Sequence, residues 1–149
     1  MSLIIRDATR ADLPAILELM AQDAMSHTLN AVPLMPEHER ALVEIQAHPD
    51  HRIVVAELNG EAAGTMQLSY LPGLGGGGRW RAQVEAVRVR RDLRSRGIGR
   101  QMMRWAIEQA RERGCFLVQL TTNRRRADAH RFYERLGFQP THVGMKLYL

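Results

Sequence analysis

Cysteine is almost missing from this sequence: Cys115 stands alone. A single thiol closes no intrachain disulfide, so stability must come from a packed core, and a reducing compartment is expected. Cys115 follows Gly114 ahead of an apolar stretch. Nothing nearby lowers its pKa, so a structural thiol is expected there rather than a nucleophile. Long apolar runs are missing as well. None approaches membrane-crossing length, and the first residues lack a signal-peptide core, so a soluble, cytoplasmic protein with no membrane partner is expected. Aromatics are few (Trp 2, Tyr 3, Phe 3) and do not interleave with the arginines. That leaves little surface for base stacking and argues against a nucleic-acid partner. No His/Cys/Asp/Glu group has metal-ligand spacing, so no metal is expected. A Gly-x-x-x-x-Gly-Lys-Ser/Thr loop is absent, which excludes a P-loop nucleotide site.

What is present is arginine, and it is unevenly placed. Up to Thr65 the chain has 10 acids and 4 arginines, a net of −6; from Met66 it has 6 acids against 16 arginines and Lys146, a net of +11, together the overall +5. A basic half suits a phosphorylated ligand, and an acidic patch elsewhere suits an amine. At 149 residues one domain spanning 1–149 is expected, long enough to bury a sizeable core.

The most informative stretch is Arg94-Ser95-Arg96-Gly97-Ile98-Gly99. It lies between an expected strand, Val84 to Val89, and an amphipathic helix from Ile98 to about Arg113. A glycine turn that opens a helix leaves backbone N–H groups pointing outward at the positive end of the helix dipole. That arrangement binds phosphate or pyrophosphate. Gly97 and Gly99 are expected to allow positive φ and close approach of a ligand, while Arg94, Arg96 and Arg100 add charge. The literal Gly-x-Gly-x-x-Gly at Gly73, Gly75 and Gly78 is a decoy. It sits in a low-complexity run expected to be a flexible loop, and a strand follows it where a dinucleotide fingerprint needs a helix.

The remaining elements are expected in this order. Leu3 to Arg6 is a strand. Thr9 and Asp12 form a capping-box-like helix start, followed by Leu13, Ile16, Leu17 and Met20 at helical spacing. A second helix begins near Pro36. Ile53–Leu58 and Ala63–Leu71 form a hairpin through Asn59-Gly60. In the helix after the loop, Ile98, Met102, Ala106, Ile107 and Ala110 share one face, and Gly114 ends it. Phe116–Leu120 is a strand, Arg126–Leu136 a helix ended by Gly137, and Val143–Leu149 a last strand. Helix-linked crossovers imply parallel strands and the hairpin implies antiparallel ones, a mixed α/β fold.

Arg94-x-x-Gly97-x-Gly99 resembles the acyl-CoA pyrophosphate loop of the GNAT superfamily of N-acetyltransferases. One helix and one strand later, Ala129-His130-Arg131-Phe132-Tyr133-Glu134-Arg135-Leu136-Gly137-Phe138 matches that family's A-x-x-F-Y-x-x-x-G-F segment. The closing Gly144-Met145-Lys146-Leu147 also resembles its last strand. The stretch from Leu120 through Tyr133 is similar to small bacterial members, including aminoalkylphosphonate N-acetyltransferases.

The resemblance implies an acetyl-CoA-dependent N-acetyltransferase built on a mixed, mostly antiparallel sheet with two splayed parallel strands flanked by helices. The strand before the loop usually carries a bulge. It implies that pantetheine pairs with backbone near Val87 and Val89, and that pyrophosphate rests on amides from Arg96 to Arg100, including Gly97, Ile98 and Gly99, with Arg94 and Ser95 alongside. Asn123 would hydrogen-bond pantetheine, although Arg126 stands where members often place an Asn. Tyr133 would protonate the departing thiolate, and Glu85 would deprotonate the amine. On a regular strand Glu85 would share a face with Val87 and Val89, and partial burial there would raise its pKa. His27, His38, Met25 and Met35 fall in the region that lines the acceptor site; each also reads as an ordinary surface or core residue. A bulge would change the parity at Glu85. The acceptor is left open among polyamine-like, aminophosphonate, aminoglycoside and peptide amines, and a homodimer fits the family. A non-catalytic acyl-CoA-binding regulatory module would keep the loop but not need Glu85 or Tyr133.

Overall fold

A computed structural model describes residues 2–22 and 33–149; the expectations for Met25 and His27 lie outside the described residues. The chain divides into two compact units, 1–119 and 120–149.

The first unit is built on a sheet in the order β1 (Leu3–Asp7), β2 (His51–Leu58), β3 (Glu61–Leu71), β4 (Arg81–Val89) and β5 (Leu117–Leu120). The first three pairings are antiparallel and β4–β5 is parallel. Asn59 and Gly60 close the β2–β3 hairpin with φ of 52° and 81°, the mirror-image turn that matches strand twist. Helices α1 (Leu13–Ala21) and α2 (Pro36–Ala47) precede the hairpin, and α3 (Ile98–Glu112) follows β4.

Side-chain parity assigns the two faces. Ile16 and Met20 of α1 pack with Val55 and Ile53. Their partners across β3 are Thr65 and Gln67, so those two point toward α1. The other face carries Gly64, Met66 and Leu68, and α3 covers it: a Cβ on Gly64 would stand 2.7 Å from Met102 Sδ. Helix α3 buries Ile98, Met102, Met103, Ala106 and Ala110. Met103, rather than the half-buried Ile107, completes the stripe.

The N-terminal capping box is present, with Thr9 N donating to Asp12 Oδ2 at 2.7 Å, but it opens a single 3-10 turn before α1. At the far end of α3, Gly114 (φ 82°) lets Cys115 N donate to Ala110 O and Gly114 N to Arg111 O, a Schellman closure. The glycine run folds into a tight turn over Gly75–Gly78. Gly76, Gly77 and Gly78 all have positive φ, and Arg79 Nε donates to Gly76 O at 2.8 Å. Gly76 packs flat on Phe116, where any Cβ would collide with the ring.

In the second unit, α4 (Ala127–Arg135) ends at Gly137 (φ 100°), where Phe138 N donates to Tyr133 O. The expected strand over Val143–Leu149 does not form. The segment is irregular, with Val143, Met145 and Leu147 at 70%, 91% and 87% exposure. Alternating apolar residues become a strand only beside a hydrogen-bonding neighbour, and no strand pairing is described for this segment. Among the described residues no helix is long and apolar enough to cross a membrane.

Candidate active site

The strand ahead of the loop carries a bulge. Gln67 faces Glu85 and Thr65 faces Arg88, so Met66 alone opposes Ala86 and Val87. Ala86 takes φ 52°, unusual for a residue with a Cβ. The bulge resets parity. Glu85, opposite Gln67, points to the α1 face, whereas Val89, opposite Gly64, belongs to the α3 face. The expectation that Glu85 shares a face with Val89 is therefore corrected. Glu85 is also exposed rather than partly buried.

The bulge also marks where β4 loses its second neighbour. Phe116 N donates to Trp80 O at 2.8 Å, and Gln119 Nε2 donates to Gln83 Oε1 at 2.9 Å. These contacts put the four-residue β5 beside the first half of β4. The half holding Val87 and Val89 pairs with β3 on one side and with no strand on the other, among the described residues. An extended ligand can pair with that edge as an added strand would.

Beyond Val89, a 3-10 turn over Arg91–Leu93 buries Leu93 and leads into the loop. Arg94 Nε donates to Val89 O at 3.1 Å, holding the loop against the strand end. Ser95 has φ 63° and Gly97 φ 82°. The positive φ values therefore fall on Ser95 and Gly97; Gly99, contrary to expectation, is helical within α3. Gly97 is the N-cap, and no side chain caps the helix. The amides of the first turn thus lack side-chain acceptors, with Arg94, Arg96 and Arg100 exposed around them. A helix start of this kind leaves backbone donors available to an anion.

In the second unit Tyr133 is half-buried, its ring edge-to-face with Phe132 at 5.1 Å and with Phe138 at 5.8 Å. Asn123 is occupied locally: Arg125 N donates to its Oδ1 at 2.9 Å and His130 Nε2 donates to its carbonyl. This Asx-type turn opens α4, whose N-cap is Arg126. His130 is accordingly half-buried.

His38 also has a local task. Met35 N donates to His38 Nδ1 at 3.0 Å, closing the N-terminus of α2, and Met35 is exposed. Burial pushes the Cys115 thiol up, with Arg113 opposing, as suits an inert sulfur. A cavity of about 310 Å³ opens elsewhere, between α2 and the start of β2, lined by Leu42, His48, His51 and Arg52 among others; no predicted site residue lines it. No group of three or more His, Cys, Asp or Glu that could hold a metal occurs among the described residues.

Sequence reasoning missed Ala86, Gln83 and Gln119. A bulge leaves no composition signal, and a glutamine pair across two strands has no spacing in the chain.

A bulged strand, an open strand edge and an uncapped helix start, followed by a strand and the Phe-Tyr helix, define an acyl-CoA-type acyltransferase fold. The Acetyltransferase (GNAT) family model matches residues 15–138, and the chain belongs to that family. It is an acetyltransferase. It is 36% identical over 94 residues to the aminoalkylphosphonate N-acetyltransferase of Salmonella typhimurium, covering 63% of this chain and 60% of that protein. It is 34% identical over 149 residues to the L-methionine sulfoximine/L-methionine sulfone acetyltransferase of Pseudomonas aeruginosa, covering 93% of this chain and 81% of that protein. Among solved structures, the transcriptional regulator from Bacillus halodurans C-125 superposes with a TM-score of 0.91 at 38% identity, covering 99% of this chain and 100% of that one.

Proposed function

We propose that this chain transfers the acetyl group of acetyl-CoA to the primary amine of a small molecule by direct attack in a ternary complex. The observation that carries this reading is the bulge at Ala86 immediately before the Arg94–Arg100 cradle. Pyrophosphate rests on the first-turn amides of α3, and pantetheine pairs with the open edge at Val87 and Val89. The thioester then arrives at the bulge, beside Glu85.

Glu85 takes the ammonium proton, directly or through water. The amine nitrogen attacks the thioester carbonyl, backbone amides hold the oxyanion, and the C–S bond breaks. The CoA thiolate leaves with a proton from Tyr133, and the phenolate takes back, directly or through water, the second proton that the new amide nitrogen sheds. No acyl-enzyme forms. Asn123, committed to its own turn, serves pantetheine only through a rearranged side chain.

The two curated relatives are named for acceptors with shared chemistry: an amine close to a phosphonate in one and an amino acid in the other. The acceptor proposed here is of that kind, a small amine bearing a neighbouring acid group. Arg124 and Arg125, exposed ahead of α4, offer cations for that acid. A screen of aminoalkylphosphonates, amino acids and polyamines with thiol-release detection tests the reading. Turnover of the acid-bearing amines supports it, and turnover of polyamines alone replaces the acceptor class.

The Bacillus halodurans structure is named a transcriptional regulator, and a regulatory role beside acetyl transfer is the second reading.

A further inference from the structure

The sheet contains one polar bridge across the two strands that frame the proposed acyl site. Gln119 on β5 donates from Nε2 to Gln83 Oε1 on β4 at 2.9 Å, and both side chains are partly buried. Gln83 lies opposite Ser69, two residues before Glu85 and on the same face. The backbone contact from Phe116 to Trp80 lies just behind it. The strands are therefore tied by backbone and side chain up to Gln83, and the bulge at Ala86 follows three residues later.

We infer that the Gln83–Gln119 bridge is the floor of the acyl slot and sets the length of acyl group the enzyme accepts. This rests on the proposed acetyl-CoA site. With pyrophosphate at Gly97–Arg100 and pantetheine running from Val89 toward Val87, the acyl carbons point from the bulge toward the bridge. Three residues of strand span about 10 Å. A carbon contact distance of about 4 Å above the bridge leaves about 6 Å. An acyl group of up to about four carbons fits that remainder, whereas a longer chain is driven into two amides already bonded to each other. An alkyl chain there offers those amides no replacement hydrogen bond, so lengthening the chain meets both a steric and a polar barrier.

The experiment measures dissociation constants of acetyl-, butyryl- and hexanoyl-CoA by calorimetric titration for the unaltered protein, Gln83→Ala and Gln119→Ala. It needs no acceptor amine. Thermal unfolding confirms that each variant is folded, and Gln83→Met, which keeps volume but breaks the bridge, stands in for an alanine variant that does not fold. The unaltered protein should bind acetyl-CoA at least about tenfold more tightly than hexanoyl-CoA, the scale of discrimination a hydrophobic pocket achieves per methylene or two. Each alanine variant should bring the two within about threefold, mainly by tighter hexanoyl-CoA binding. Equal binding of the two by the unaltered protein, or preference retained in the folded variants, overturns the inference while leaving the acetyl-CoA site standing. Failure of the unaltered protein to bind any of the three overturns the proposed function itself.

Discussion

Ala86 on β4 stands with Val87 against the single residue Met66 of β3, and its φ of 52° is what lets two residues occupy the space of one. This pairing decides which way Glu85 and Val89 face and where the strand edge opens. A β-branched side chain tolerates such a φ far less well than alanine does. Ala86→Val should therefore lower stability by about 1–3 kcal/mol, read from chemical denaturation. Ala86→Gly should leave the midpoint unchanged or raise it. Deleting Ala86 should restore regular pairing and abolish acetyl-CoA binding in a folded protein.

Gly97 has φ 82° with nothing within 4 Å of where a Cβ would lie, so the position tests backbone strain and ligand contact separately from packing. Gly97→Ala should cost about 1–2 kcal/mol in stability. Gly97→Asp should cost a similar amount but also place a carboxylate where pyrophosphate is proposed to bind. Saturating acetyl-CoA, at about 100 times its dissociation constant, should add about 2.7 kcal/mol to the unaltered protein, several degrees in melting temperature. The aspartate variant should show no shift at the same concentration.

Gly97 and the Asn59-Gly60 turn were legible because a residue type there answers a local backbone requirement. The helical stripe of α3 was legible because burial repeats at the helix period, with Met103 missed because methionine and isoleucine fill a stripe edge equally well. A bulge in this strand was expected from the family resemblance, but its place at Ala86 was not legible: alanine is no marker of positive φ, and only the partner strand forces it. The glycine run looked flexible because glycine has no side chain to pack, yet here it is the ring of Phe116, forty residues on by sequence, that packs against Gly76. The alternating Val143–Leu149 segment shows the converse, a strand pattern with no described partner.

Gly64 is the narrowest point between β3 and α3. An added Cβ would meet Met102 Sδ at 2.7 Å and the Arg88 carbonyl at 2.8 Å. The thioether can swing aside but the carbonyl belongs to the bulged strand. Gly64→Ala should cost about 1–3 kcal/mol through overpacking. Because the displaced backbone adjoins Val89, the same variant should weaken acetyl-CoA binding, which a purely distant core defect would not. Titration of the folded variant checks this.

Arg6 links the first strand to the first helix, with Nη1 donating to Asp12 Oδ2 at 2.7 Å and Nε donating to Glu57 Oε2 at 2.8 Å. The guanidinium, with the Thr9 amide, holds the Asp12 carboxyl at about 2, below its ordinary 3.8. A depressed carboxylate stabilises the fold above its unfolded pKa and loses that contribution as pH falls toward its folded pKa. The contribution should be complete by about pH 5 and vanish progressively between pH 4 and pH 2. Arg6 is partly exposed, so screening limits the effect to about 1 kcal/mol. Asp12→Asn should flatten the pH dependence of unfolding in that window while leaving the slope from other carboxylates.

Glu85 and Tyr133 are the two groups a binding module would not need, so their loss separates catalysis from binding. Glu85 is exposed beside the bulge, so water can take over its proposed role in part. Glu85→Gln should lower kcat by about ten- to a hundredfold, at the low end of general-base effects, with the deficit shrinking as pH rises and more amine is already neutral. Tyr133 stacks edge-on between Phe132 and Phe138, so Tyr133→Phe keeps the ring packing and removes only the hydroxyl. That variant should lose about a hundredfold in kcat while its affinity for acetyl-CoA stays within a few-fold, and the loss should shrink with an acyl donor whose thiol is more acidic, because a better leaving group needs less protonation. Unchanged turnover in both variants would remove these residues from the mechanism and leave the backbone at the bulge as the whole of the catalytic apparatus.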